Sequence, residues 1–163
     1  MSDELARLVE ILRAGGVVAC PTETLVGLLA DALDPGAVAE VARIKGRASE
    51  QPIAVLLPDA EAIDRVARDV SERVRQLARE HWPGPLTLVL WARDGLPPEL
   101  VEEGKVGMRV PGPSPALDLV RAFGGPLTAT SANRTGEPPA RTDAEARAAL
   151  GDDVDADAPG SAP

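Results

Sequence analysis

One cysteine and one histidine among 163 residues leave little material for metal binding or nucleophilic catalysis. Cys20 alone excludes an internal disulfide framework, has no partner at the spacing of a zinc site, and reads as a small buried hydrophobe. His81 falls at the end of a helical pattern beside Trp82, where a histidine ordinarily meets helix-terminal carbonyls. Neither a Ser-His-Asp nor a Cys-His arrangement can be assembled. No segment approaches the roughly 18–20 apolar residues of a membrane span. Basic charge is scarce: 17 Lys and Arg face 26 Asp and Glu, a net charge of −9, which argues against a protein that coats nucleic acid with a basic surface. Lysine is scarcer still, with only Lys45 and Lys105. The opening MSDELARLVE carries acids where an export signal carries basic residues, so a cytoplasmic protein is expected. There is no GxxxxGK[ST] P-loop, no internal repeat and no linker. The length suits one domain, taken as residues 1–150, followed by an acidic, mobile tail over 151–163.

What is there alternates between strand and helix patterns. DELARLVEILRAGG has apolar residues at helical spacing and stops at Gly15 and Gly16. VVAC is a buried strand closed by Pro21. DPGAVAEVARIKG predicts a helix with Asp34 as N-cap, Pro35 at its first position and Gly46 at its end. Strands follow over 52–57, 85–91, 106–111 and 126–130. Helices are predicted in DAEAIDRVARDV, SERVRQLAREHW, SPALDLVRAFGG and TDAEARAALG, the last capped by Thr142. Connections without a helix, such as PLTLVLW to VGMRVP, favour antiparallel neighbours. A mixed, three-layer α/β arrangement follows.

Polar residues gather where strands end, and ligands in helix-covered sheets collect at such ends. PTET sets the hydroxyls of Thr22 and Thr24 on a loop, where they can meet an ammonium, a carboxylate or phosphate oxygen, or simply cap a turn. KGR places Lys45 and Arg47 around a glycine after a helix, a clamp for polyphosphate or a pair of solvated helix-end charges. VGMRVP embeds Arg109 among apolar residues; it can hold a carboxylate by two parallel hydrogen bonds, or face solvent or a neighbouring acid. PLTATSANRTGEP ends a strand in Thr130, Ser131 and Asn133. Together these supply charge neutralisation and positioning without a nucleophile or general base, which suits phosphoryl or nucleotidyl transfer to a substrate carrying its own nucleophile.

The segments PTETLVGLLADA, KGRASEQPIAVLL, HWPGPLTLVL, VGMRVP and PLTATSANRTGEP, in this order, resemble the YrdC-like threonylcarbamoyl-adenylate synthase family over about residues 5–150. The resemblance implies an α/β domain of α+β type, with a twisted, mixed parallel and antiparallel sheet flanked by helices and a concave pocket. It implies that L-threonine and bicarbonate form N-carboxythreonine, which attacks the α-phosphorus of ATP. Threonylcarbamoyl-AMP then passes to transferase proteins that modify an adenosine of tRNA. The family's K-x-R…S-x-N set falls on Lys45, Arg47, Ser131 and Asn133 for ATP, while Thr22 and Arg109 match positions that bind threonine. Mg2+ is expected to accompany ATP, with no protein cage for it.

Three departures stand out. The family usually carries tyrosine where this chain has Val26 and often histidine where it has Leu56, and its later Ser-Thr pair is missing before APGSAP. They motivate a paralogue that uses the ATP site with another substrate. An RNA-binding module, on a strip of Arg43, Arg47, Arg109, Arg134 and Arg141, is the third reading.

Overall fold

The computed structural model describes residues 2–46, 51–133 and 138–160. Its centre is a seven-stranded sheet in the order β4-β5-β3-β6-β2-β1-β7. The strands are β1 (Val18–Pro21), β2 (Val26–Leu29), β3 (Ala54–Leu56), β4 (Leu88–Trp91), β5 (Lys105–Arg109), β6 (Leu127–Ser131) and β7 (Ala156–Asp157). Pairs β3–β5 and β1–β7 are parallel, and the other four are antiparallel. The mixed sheet expected from the sequence is therefore present.

Five α-helices accompany the sheet: α1 (Asp3–Arg13), α2 (Pro35–Lys45), α3 (Glu72–His81), α4 (Pro115–Phe123) and α5 (Asp143–Leu150). Their ends follow capping chemistry. Asp34 accepts from the backbone N–H of Gly36 and Ala37, Pro35 opens α2, and Gly46 closes it in the left-handed region at φ 94°, a conformation that costs little only without a Cβ. Thr142 caps α5 through Glu145 N–H. The apolar faces meet in one core that includes Leu12, Leu28, Ile44, Leu57, Met108 and Leu119. Strands β1 and β2 are buried at every position. Strand β4, at the sheet edge, alternates instead, leaving Val89 61% and Trp91 45% exposed. Lys105 and Arg68 lie over the Trp91 ring at 4.9 and 5.5 Å, as cations do over an aromatic face.

Three segments differ from the sequence expectation. The chain after Pro21 turns straight back as β2, so VVAC and VGLL form a hairpin. Residues 59–70 do not form an α-helix. Asp59 caps a 3-10 helix over Ala60–Arg65, after which the chain runs along β4, with Arg68 N–H on Trp91 O and Arg93 N–H on Val66 O, each at 2.9 Å. The unpaired edge of β4 draws this segment out of the helix. Third, the acidic run from 151 joins the sheet. Val17 and Asp155 exchange backbone and carboxylate hydrogen bonds, and Ala158 N–H donates to Ala19 O at 2.8 Å. β7 thus shields the outer edge of β1.

Thr128 holds the centre of the sheet. Its hydroxyl is fully buried, donates to Leu28 O at 3.0 Å and accepts from Ala30 N–H at 2.9 Å. It therefore continues the β2–β6 ladder by side chain. Thr128→Val keeps the shape but leaves the buried Ala30 N–H without its acceptor and removes the added hydrogen bond on Leu28 O, which stays in the β2–β6 ladder. We expect a loss of about 1–3 kcal/mol in chemical denaturation, largely restored in Thr128→Ser.

Candidate active site

The last turn of α2 delivers Lys45 beneath the end of β6. Its ammonium donates to Ser131 O at 2.8 Å, Ser131 Oγ at 3.2 Å and Asn133 Oδ1 at 3.0 Å. The Ser131 hydroxyl in turn donates to Asn133 Oδ1. Lys45 is 8% exposed, and it is the one charged residue buried among the described residues. All three acceptors are neutral, and no carboxylate among the described residues pairs with it. The hydrogen-bonding capacity of the ammonium is met, but its charge is not. Burial accordingly lowers the Lys45 pKa from its ordinary 10.5, because a low-dielectric surrounding penalises the charged form. An arriving anion would relieve that penalty.

Beside this cluster lies a cleft of about 140 Å³, walled by Thr22, Thr24, Val26, Arg109, Thr130 and Ser131. Three of the sequence motifs thus converge on one hollow, as their strand order requires: β6 pairs with β2 at Ser131 and Gly27, and β3 lies between β6 and β5. A wider hollow of about 320 Å³ over Thr87, Val89, Lys105 and Gly107 meets it at Ala54. The floor between them is made of small residues, Ala54, Gly107 and Ala129.

Each predicted residue has a distinct outcome. Lys45, Ser131 and Asn133 come together as one hydrogen-bonded unit. Arg47 lies outside the described residues. Thr22 lines the cleft, but its hydroxyl is engaged by its own turn: it accepts from Thr24 N–H and Leu25 N–H, each at 3.1 Å, and donates to Leu25 O at 2.6 Å. This turn joins β1 to β2. Thr24 Oγ1, 3.0 Å from Thr22 Oγ1, is the more exposed of the two hydroxyls. Arg109 lines the cleft and pairs with a neighbouring acid, Glu23. Glu23 was passed over in the sequence, because its partners are 86 and 89 residues away.

Other side chains fall outside the site. Cys20 is buried with its thiol pushed up to about 12 by desolvation and then by Asp118, which leaves it unreactive at neutral pH. No group of three or more His, Cys, Asp or Glu that could hold a metal occurs among the described residues. The proposed basic strip is largely compensated where it is described. Arg43 pairs with Glu40 and Asp153, and Arg109 pairs with Glu23.

The fold is shared with known proteins. Residues 10–160 match the family Sua5–YciO–YrdC, described as telomere recombination. The threonylcarbamoyl-AMP synthase of Pyrococcus abyssi is 38% identical over 129 residues, covering 78% of this chain and 38% of the relative. The structure of P. abyssi Sua5 complexed with L-threonine superposes with a TM-score of 0.91 at 31% identity, over 98% of this chain and 47% of that one. Escherichia coli YciO superposes with a TM-score of 0.82 at 27% identity, over 98% and 79%. The chain spans less than half the length of the two Pyrococcus relatives.

The lowered pKa of Lys45 has a signed consequence. The folded chain binds this proton less tightly than the unfolded chain, so apo stability gains from Lys45 as pH rises through the window just below 10.5. Lys45→Met should therefore fold at equal or greater stability than the parent at pH 7, and that advantage should shrink toward pH 10 in urea denaturation.

Proposed function

The chain belongs to the Sua5–YciO–YrdC family, and from that premise we propose that it is an L-threonylcarbamoyladenylate synthase, a nucleotidyltransferase acting on L-threonine, bicarbonate and ATP. The observation that carries this reading is the buried, uncompensated Lys45 ammonium at the edge of a cleft walled by hydroxyls and Arg109. That arrangement favours a substrate that is both polyanionic and carboxylate-bearing. The complex of P. abyssi Sua5 with L-threonine supports it for the amino-acid side.

In this reading Lys45, with Ser131 and Asn133, binds the phosphates of ATP, and Arg47 continues the clamp. Arg109 takes the threonine carboxylate by its planar fork. The Thr22–Leu25 turn presents Thr24 to the same substrate, with Thr22 holding the turn in shape. The carbamate oxygen of N-carboxythreonine attacks the α-phosphorus, the bond to the bridging oxygen breaks, and pyrophosphate leaves with its electrons. No protein nucleophile or base is required. The contribution of the chain is to hold two anions together and neutralise the charge that develops on the phosphates. Mg2+ would travel with the ATP phosphates and water, since no carboxylate cluster among the described residues fits it.

The product is a mixed anhydride of a carbamate and a phosphate, prone to hydrolysis. It therefore calls for prompt transfer by tRNA-modifying proteins in the cytoplasm. A second reading, another amino acid on the same ATP site, is favoured by Val26. This fully buried side chain stands in the cleft wall where the family usually has a tyrosine, which leaves more room beside Arg109.

Pyrophosphate release with ATP, Mg2+ and bicarbonate, measured without an amino acid and with each in turn, separates the two. Release that requires threonine and bicarbonate together is expected. Release with another amino acid but not threonine would establish the paralogue, and no release with any would remove the synthase reading.

A further inference from the structure

We infer that Glu23 is the positioning residue for the amino-acid site: it holds the Arg109 guanidinium from behind, leaving the rest of the fork to face the cleft. The inference rests on the role proposed for Arg109. Both carboxylate oxygens of Glu23 are used. Oε1 accepts from Arg109 Nη1, and Oε2 accepts from the Gly112 backbone N–H. The two side chains are 14% and 17% exposed, so the pair is largely shielded from water. Arg109 lines the cleft and Glu23 does not. Glu23 therefore reaches a substrate only through the arginine.

The arrangement ties three separate pieces of chain. Glu23 projects from the β1–β2 turn that Thr22 stabilises through Thr24 and Leu25. Arg109 closes β5, and Gly112 opens the loop toward α4. Gly112 is fitted to this role, since a Cβ there would stand 2.9 Å from Glu23 Oε2 and 3.3 Å from its Cγ. An arginine at a strand end has long rotamer freedom, and ordering it on ligand binding costs affinity. A charge-assisted hydrogen bond formed before the ligand arrives removes most of that cost. One planar fork can then meet two carboxylates, a fixed one from the protein and a transient one from the amino acid.

The test uses Glu23→Gln, which keeps the shape and an amide oxygen to accept from Gly112 N–H but removes the negative charge that Arg109 faces. Calorimetry should show L-threonine binding weakened about tenfold, in the range of coupled neighbours, with ATP binding within about twofold of the parent. In an Arg109→Ala background, Glu23→Gln should cost nothing further. An equal loss in both backgrounds would mean that Glu23 touches the substrate itself, and no loss in the parent would mean that Arg109 needs no support; either overturns the inference. If the parent does not bind L-threonine, the proposed function fails and the pairing is judged in the free protein by the Arg109 Nη–H signal in nitrogen-resolved NMR. A slowly exchanging signal that averages out in Glu23→Gln supports the positioning role, and an unchanged signal refutes it.

Discussion

A buried ammonium without a counter-ion is the constraint on which this site depends. Burying a charge is costly unless it is paired, and Lys45 meets only neutral oxygens of Ser131 and Asn133. Those oxygens satisfy its three N–H donors without cancelling its charge. The arrangement ties the end of α2 to the end of β6, across 86 residues of sequence, and it keeps a positive potential where no carboxylate competes. An apo state of this kind carries a cost that ligand binding removes. The same interaction that orders the site would, in the proposed function, also favour an anion there.

The sheet order explains why Ser131, to which this cation is bound, and Arg109 share one cleft. β6 runs between β2 and β3, and β5 follows next to β3. The β1–β2 turn, the end of β6 and the end of β5 consequently open toward the same hollow, although they lie far apart in the chain. Thr128 keeps β6 in register with β2 just before the strand turns polar. One run, TATSAN, thus divides its labour: Thr128 builds the sheet, while Ser131 and Asn133 hold Lys45. Hydroxyls and an amide appear where the strand ends because backbone-like donors and acceptors are needed there both for the fold and for the ammonium.

Much of this was legible where the signal is local. The Asp34, Pro35 and Gly46 boundaries of α2 follow from capping chemistry, and Thr142 does the same for α5. The elements that escaped were those whose cause is not local. β2 follows β1 through a turn closed by Thr22 hydrogen bonds, and Pro21 marks where β1 ends without marking that the chain returns as a strand. β7 is acidic, against strand propensity, and forms because β1 offers an open edge. Residues 59–70 have helical periodicity, yet the edge of β4 captures their second half. Within the site, Lys45, Ser131, Asn133 and Arg109 were named from motifs, but the bond between Glu23 and Arg109 needed the fold.

A net charge of −9 does not conflict with a site for polyanions. At physiological ionic strength, charges farther apart than about 8 Å are largely screened when exposed, whereas a buried charge is screened far less. Surface arginines here are mostly matched locally: Arg43 with Glu40, Arg75 with Asp64, Arg147 with Asp157. Such exposed pairs add little to stability, but they leave the outer surface without a broad basic field. Even Lys105, the other lysine, rests against Trp91 in the open. Among the described residues the one buried positive charge, Lys45, thus stands beside the cleft, bound to Ser131 of its wall, where low dielectric makes it strong, while the acidic exterior discourages indiscriminate binding of nucleic acid.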